Sequence, residues 1–188
     1  MWLHTVQELL GHRLQVTWRS FLLEQANRTN REAEPEWRIW EQPDDYPSRG
    51  LWAFHAAEAA RNQGPAAYDR YRMALLRAKH EEGRDIADRK VLRDVAEQQS
   101  LDLEQFQADL TDRRLLRRIG ADHTRAAQQL DIFGTPTFVF GPGRVAYVKM
   151  LPPPPREQAL ALLDAIRTLV ADSPTVLEVK RPQKKRQL

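Results

Sequence analysis

Seven residues, Gly134-Thr135-Pro136-Thr137-Phe138-Val139-Phe140, have the pattern of a turn, a proline and a buried strand. The proline carries the chemical consequence. It lowers the cost of a cis peptide to about 0.5–1 kcal/mol. A cis link between Thr135 and Pro136 would turn the chain sharply and leave the Thr135 backbone open to an extended peptide. On these residues alone, an ordinary trans proline ahead of a strand is the simpler reading. Gly134 permits the backbone shape of the turn, and Thr137 starts the strand. The 188-residue chain contains no cysteine, which excludes internal disulfides, thiolate metal sites and thiol exchange by its own side chains.

No other set of residues assembles into a site. His4, His12, His55, His80 and His123 show no pair at metal-binding helical spacing, so no metal is expected. Each is expected at the surface or in a cap. Asp122 and His123 are adjacent, and adjacent helical residues do not face each other. The doublets Asp44-Asp45 and Glu81-Glu82 read as solvated turns, and Asp85 as a cap near a helix start. Gly141-Pro142-Gly143 is a hairpin turn by its flanks, not a phosphate loop. No catalytic residue and no cofactor is assigned within the chain.

The elements around the proline follow from periodicity. The chain is 41% hydrophobic, enough for one domain with a core or a small domain carrying an insertion. No apolar stretch is long enough to span a membrane. The first residues, Met1 to Val6, lack a basic and apolar leader pattern, and a cytoplasmic location is the expectation. Lys180, Arg181, Lys184, Lys185 and Arg186 lie in the last nine residues; without them the formal charge falls from +3 to −2. The basicity is therefore a tail, 181–188 in the main, read as a solvated end. No aromatic residue interleaves with it to stack on bases, so nucleic acid is not the expected partner.

Leu3, Val6, Leu9 and Leu10 have helical spacing, stopped by Gly11. Leu14 to Trp18 alternates and predicts a strand. Residues 27–47 read as a long connector pinned by Trp37 and Trp40. Residues 48–129 read as wholly helical, with starts at Ser48, Pro65, Asp88, Asp102 (a capping box with Gln105) and about Asp112. The Trp, Tyr and Phe residues sit at core spacing. Thr137–Phe140 and Val145–Leu151 predict a hairpin around Pro142-Gly143. The prolines 152–155 lead into a helix through Leu160, Leu163 and Ile166, and Val176–Val179 predicts a last short strand.

Several blocks carry a resemblance: Val16-Thr17-Trp18-Arg19-Ser20-Phe21, Ala53 to Gly64, Leu75-Leu76-Arg77-Ala78, Glu82-Gly83-Arg84-Asp85-Ile86 and Ile132-Phe133-Gly134-Thr135-Pro136-Thr137-Phe138. In this order they resemble the DsbA family of thioredoxin-fold proteins, in its cytoplasmic FrnE-like branch. The resemblance implies an α+β, thioredoxin-like fold: a small mixed sheet with flanking helices and an all-helical insertion. It implies a core from residues 1–47 and 130–180, an insertion over 48–129 and a tail over 181–188. It further implies a cis Thr135–Pro136 link, with Gly134, Thr135, Pro136 and Thr137 as substrate-binding residues for an extended peptide or protein. Family members often have an aliphatic residue where Thr135 stands.

The family pattern opens with a central strand and a Cys-x-x-Cys pair, and this chain matches it from within the following helix, Trp2 to Leu10. Without that strand, buried backbone groups are orphaned at on the order of 1–3 kcal/mol each. The expectation is that the natural start lies upstream. Otherwise a partner chain in a homodimer supplies the strand, or Thr175–Lys180 moves inward to pair. The implied function is that of a thiol–disulfide oxidoreductase family member, redox-inactive as it stands. The alternatives are a cysteine-less peptide-binding module and a relative of the glutathione-dependent isomerases and kappa-class transferases, which would need an upstream serine.

Overall fold

A helix begins where a side chain accepts the backbone N–H groups that have no intrahelical partner. The computed structural model, which describes residues 2–29, 32–150, 152–173 and 175–179, shows this along the middle of the chain. Ser48 Oγ accepts from Leu51 N at 2.9 Å ahead of α3 (Leu51–Asn62). Pro65 opens α4 (Pro65–His80), where its missing N–H costs nothing. Asp88 accepts from Lys90 N at the start of α5 (Arg89–Gln98), and Asp112 from Arg114 N at the start of α7 (Arg113–Gln129). Asp102 accepts from Gln105 N ahead of α6 (Leu103–Asp109). The other half of that box is not closed by Gln105: Gln63, just past α3, accepts from Asp102 N and donates to Asp102 O, both at 2.9 Å. The earlier helices are α1 (Trp2–Leu10), followed by Gly11 at φ +55°, and the single turn α2 (Leu23–Ala26).

The chain forms two compact units, one of Val16–Thr135 and one of Trp2–Gln15 with Pro136–Leu188. Residues 16–47, expected with the hairpin, belong to the helical unit. Leu22, Ile39 and Trp40 explain why: all three are buried in the core built by α3, α4, α5, α6 and α7. The connector is pinned at Trp40, whose ring lies against Gly120 of α7, and at Trp37, which packs on Tyr46 at 6.0 Å between ring centres. Tyr71, Phe106, Leu92 and Ile119 lie at the fully buried centre. The Tyr71 hydroxyl donates to Leu92 O at 2.9 Å, and burial pushes its ionisation far above the ordinary phenol range.

In the second unit, β1 (Thr137–Gly141) and β2 (Arg144–Tyr147) form an antiparallel pair, with Thr137 opposite Tyr147 and Phe138 opposite Ala146. Gly143 turns the hairpin at φ +67°. Phe138 and Phe140 point to a small core with Trp2 and Val6 of α1 and Ala159 and Ile166 of α8 (Ala159–Arg167). The Trp2 indole donates to Ala159 O at 3.1 Å. The opposite face, with Val139 and Tyr147, is exposed.

Two expected strands are absent. Leu14–Trp18 and Val176–Val179 form no ladder, and the described sheet has two strands. Both segments have strand-type residues; what they lack is a neighbour, and a strand exists only as a hydrogen-bonded pair. The partner of β1 is also shorter than expected, ending at Tyr147, although Val148 N still donates to Pro136 O. Leu151 and the tail at 181–188 lie outside the described residues.

Candidate functional site

The four residues expected to bind substrate run across the boundary between the units, which falls at the Thr135–Pro136 link. Gly134 is buried, Thr135 and Pro136 are exposed, and Thr137 is half-buried as the first residue of β1. Pro136 O accepts from Val148 N at 3.1 Å, so the proline already continues the ladder begun by β2. By the alternation of an antiparallel pair, Phe138 then faces Ala146 as a hydrogen-bonded pair, while the backbone of Val139 is directed to the other edge of β1. No third strand lies there among the described residues.

A second edge lies in the helical unit. Leu22 has extended backbone angles. From Val16 to Ser20, burial alternates: Val16 and Trp18 half-buried, Thr17 and Arg19 exposed, Ser20 buried. This is the period of a strand. One edge of the segment is satisfied by side chains of α7 in place of a neighbouring strand. Ser20 N donates to Asp122 Oδ2 at 3.2 Å and Leu22 N to His123 Nδ1 at 3.1 Å. Residues 20 and 22 point their backbone groups the same way, so those of Thr17, Arg19 and Phe21 point the opposite way. Among the described residues no backbone hydrogen bond reaches Thr17, Trp18, Arg19 or Phe21, although Phe21 is buried.

Buried donors flank the same segment. The Arg72 guanidinium of α4 lies 3.9 Å from the Trp18 ring centre. Trp18 Nε1 and Arg72 Nε are both fully buried and have no hydrogen-bond partner among the described residues. Arg72 meets Asp69 at 3.4 Å through another nitrogen. Arg72 also lies 6.0 Å from the Tyr68 ring centre, on which Arg61 of α3 stacks at 3.6 Å; the buried Glu58 of α3 pairs with Arg61 at 3.0 Å and with Arg118 of α7 at 3.2 Å. Burial raises the ionisation range of the Tyr68 phenol.

Two of the histidines expected at the surface or in a cap are core residues. His123 is 5% exposed and packs between Phe21 and Trp40, with ring centres 4.7 and 5.6 Å away. His55 is 2% exposed, with Nε2 3.3 Å from Asp112 O and Nδ1 unpartnered among the described residues. Burial lowers its affinity for a proton. Asp122 and His123 are adjacent on α7, and both reach the same extended segment. The signal in the sequence was the pair of acceptors on an amphipathic helix, matched to N–H groups two residues apart. Asp44 and Asp45 are exposed, and Asp85 caps a turn by accepting from Ala87 N at 3.0 Å. No group of residues that could hold a metal ion occurs among the described residues, and no described helix is long and apolar enough to cross a membrane.

A search of curated proteins finds no match. The family model of the DSBA-like thioredoxin domain matches residues 3–161, a span that runs from α1 through the helical unit and the hairpin into α8. With an α+β fold of that kind, the chain belongs to the DSBA-like thioredoxin domain family.

Proposed function

We propose that this chain is the strand-accepting scaffold of a FrnE-like thiol–disulfide oxidoreductase, whose redox sulfur comes from a polypeptide segment outside these 188 residues. The observation that carries the reading is the backbone edge at Thr17, Arg19 and Phe21, unpaired among the described residues, on a segment that already has the burial pattern of a strand. An added strand would satisfy those groups. Disulfide exchange needs a thiolate that attacks one sulfur of a disulfide and displaces the other, and no residue here supplies it. In this reading the Thr135–Pro136 link is cis, and Gly134 to Thr137 hold the backbone of an extended peptide or protein substrate. A cytoplasmic location belongs to the same proposal.

The test is made on the protein isolated from its own cells. Intact mass, thiol titration and disulfide exchange with a reduced unfolded protein are measured together. The expected result is a polypeptide carrying a dithiol in a segment upstream of α1, active in exchange. A thiol-free polypeptide that binds extended peptides without turnover would instead leave a cysteine-less binding module. A thiol-free polypeptide that binds none would overturn strand acceptance as well.

A further inference from the structure

We propose that residues 176–186 attach this chain to the surface of an anionic lipid bilayer, with Leu177 and Val179 entering the interface and the cations between Lys180 and Arg186 meeting the headgroups. The proposal is independent of strand acceptance and of redox activity. Two observations meet at this point in the chain. The first is structural. Among the described residues, Leu177 is the most exposed large apolar residue, at 94%, Val179 follows at 73%, and Val176 is 42% exposed. Val176 N donates to Ser173 O at 3.1 Å, just past the helical turn Thr168–Asp172. Beyond it, Leu177, Glu178 and Val179 have no backbone hydrogen bond among the described residues. The second observation is in the sequence. Lys180, Arg181, Lys184, Lys185 and Arg186 follow at once, and no acidic residue occurs from 180 to 188.

Leaving aliphatic side chains in water is unfavourable. Apolar residues beside a cluster of cations fit an interface that offers both hydrocarbon and negative charge. Side chains two positions apart on an extended chain share a side, so Leu177 and Val179 can enter together while Glu178 stays in water. A lone extended segment cannot satisfy its backbone groups in hydrocarbon, so the attachment is confined to the surface. Each Lys or Arg close to an anionic surface raises partitioning about fivefold. One weak signal gives marginal, reversible binding, and a second makes it stable. Nucleic acid would match the cations through its phosphates but has no use for the two aliphatic residues. No aromatic residue stands among the cations to stack on a base.

The experiment uses the full chain with vesicles of phosphatidylcholine alone, and of phosphatidylcholine with about one third phosphatidylserine, read by flotation at low and at high salt. The anionic vesicles are expected to bind at least about tenfold more tightly than the neutral ones, and high salt to remove most of that binding. Lys184→Gln with Lys185→Gln removes two charges and should weaken it about thirtyfold. Leu177→Ser with Val179→Ser leaves the charge unchanged and should weaken it about tenfold. Both positions are exposed, so thermal melts should match the parent chain. A single-stranded RNA and a DNA duplex, titrated at the same salt, should bind more weakly and without regard to the serine substitutions. No binding to the anionic vesicles, equal binding to both vesicles, or binding that ignores the serine substitutions overturns the proposal. Nucleic acid bound as tightly as the anionic vesicles overturns it too, and makes nucleic acid the partner.

Discussion

The helical unit and the hairpin unit solve the backbone problem in different ways. Each helix of the first satisfies its own N–H and C=O groups along its length, and only the ends need help, which Ser48, Asp88, Asp102 and Asp112 provide from nearby in the chain. The hairpin unit cannot do this. Its two strands satisfy each other on one edge and depend on a further strand for the next. The cores reflect the difference. Tyr71, Phe106, Leu92 and Ile119 are sealed inside the helical unit, whereas Val139 remains 49% exposed on β1. A helical part is complete from local information; a sheet is complete only when every strand has its neighbour.

Replacing a sealed aromatic should have the largest effect. Phe106 is fully buried and lies 5.4 Å from Tyr71 between ring centres. Phe106→Ala is expected to destabilise the helical unit by about 3–5 kcal/mol, read from urea unfolding, with Val139→Ala on the exposed strand face costing under about 1 kcal/mol. Similar losses at the two positions would erase the contrast.

Gly120 gives a smaller test of the same core. A Cβ there would sit 2.5 Å from the Trp40 ring, so Gly120→Ala must displace the indole that pins the connector. The gain in helix propensity is outweighed, and a net loss of about 1–3 kcal/mol is expected. An unchanged or raised midpoint in urea would show that Trp40 is not wedged there.

The buried imidazole of His55 gives a pH dependence. Burial lowers its proton affinity in the folded chain, so the unfolded chain binds the proton first as pH falls. Its contribution to stability is complete above the unfolded value of about 6.5 and is lost as pH falls from there through the lower, folded value. The urea midpoint should therefore drop between pH 7.5 and pH 5.5, and His55→Phe should flatten that slope. An identical slope in the variant would remove His55 as its cause. The smallest effect is at a cap: Asp102→Ala should cost about 1 kcal/mol, measured by the same unfolding curves.

These differences also explain what was legible in the sequence. Capping residues, Pro65 and the Pro142-Gly143 turn act within a few residues of themselves, so the helical block and the hairpin could be read directly. The alternation at Leu14–Trp18 survives in the exposure of Val16 to Ser20. The ladder it implied depends on a second strand, which periodicity in one segment cannot report. Val176–Val179 failed for the same reason: Leu177 is 94% exposed. His123 and His55 lie in the core and not at the surface or in a cap because burial of a histidine depends on partners far along the chain, Leu22 N and Asp112 O. The pairing of Trp18 with Arg72 joins residues 54 positions apart on unlike elements, and no spacing rule reaches that far.

Amide hydrogen exchange resolved at residues 16 to 22 tests the strand-accepting edge most directly. The account predicts protection at Ser20 and Leu22, held by Asp122 and His123, and rapid exchange at Thr17, Arg19 and Phe21 until a saturating extended peptide is added, when those amides become protected. Uniform protection of all five in the free chain, or rapid exchange at Thr17, Arg19 and Phe21 with peptide bound, would contradict it.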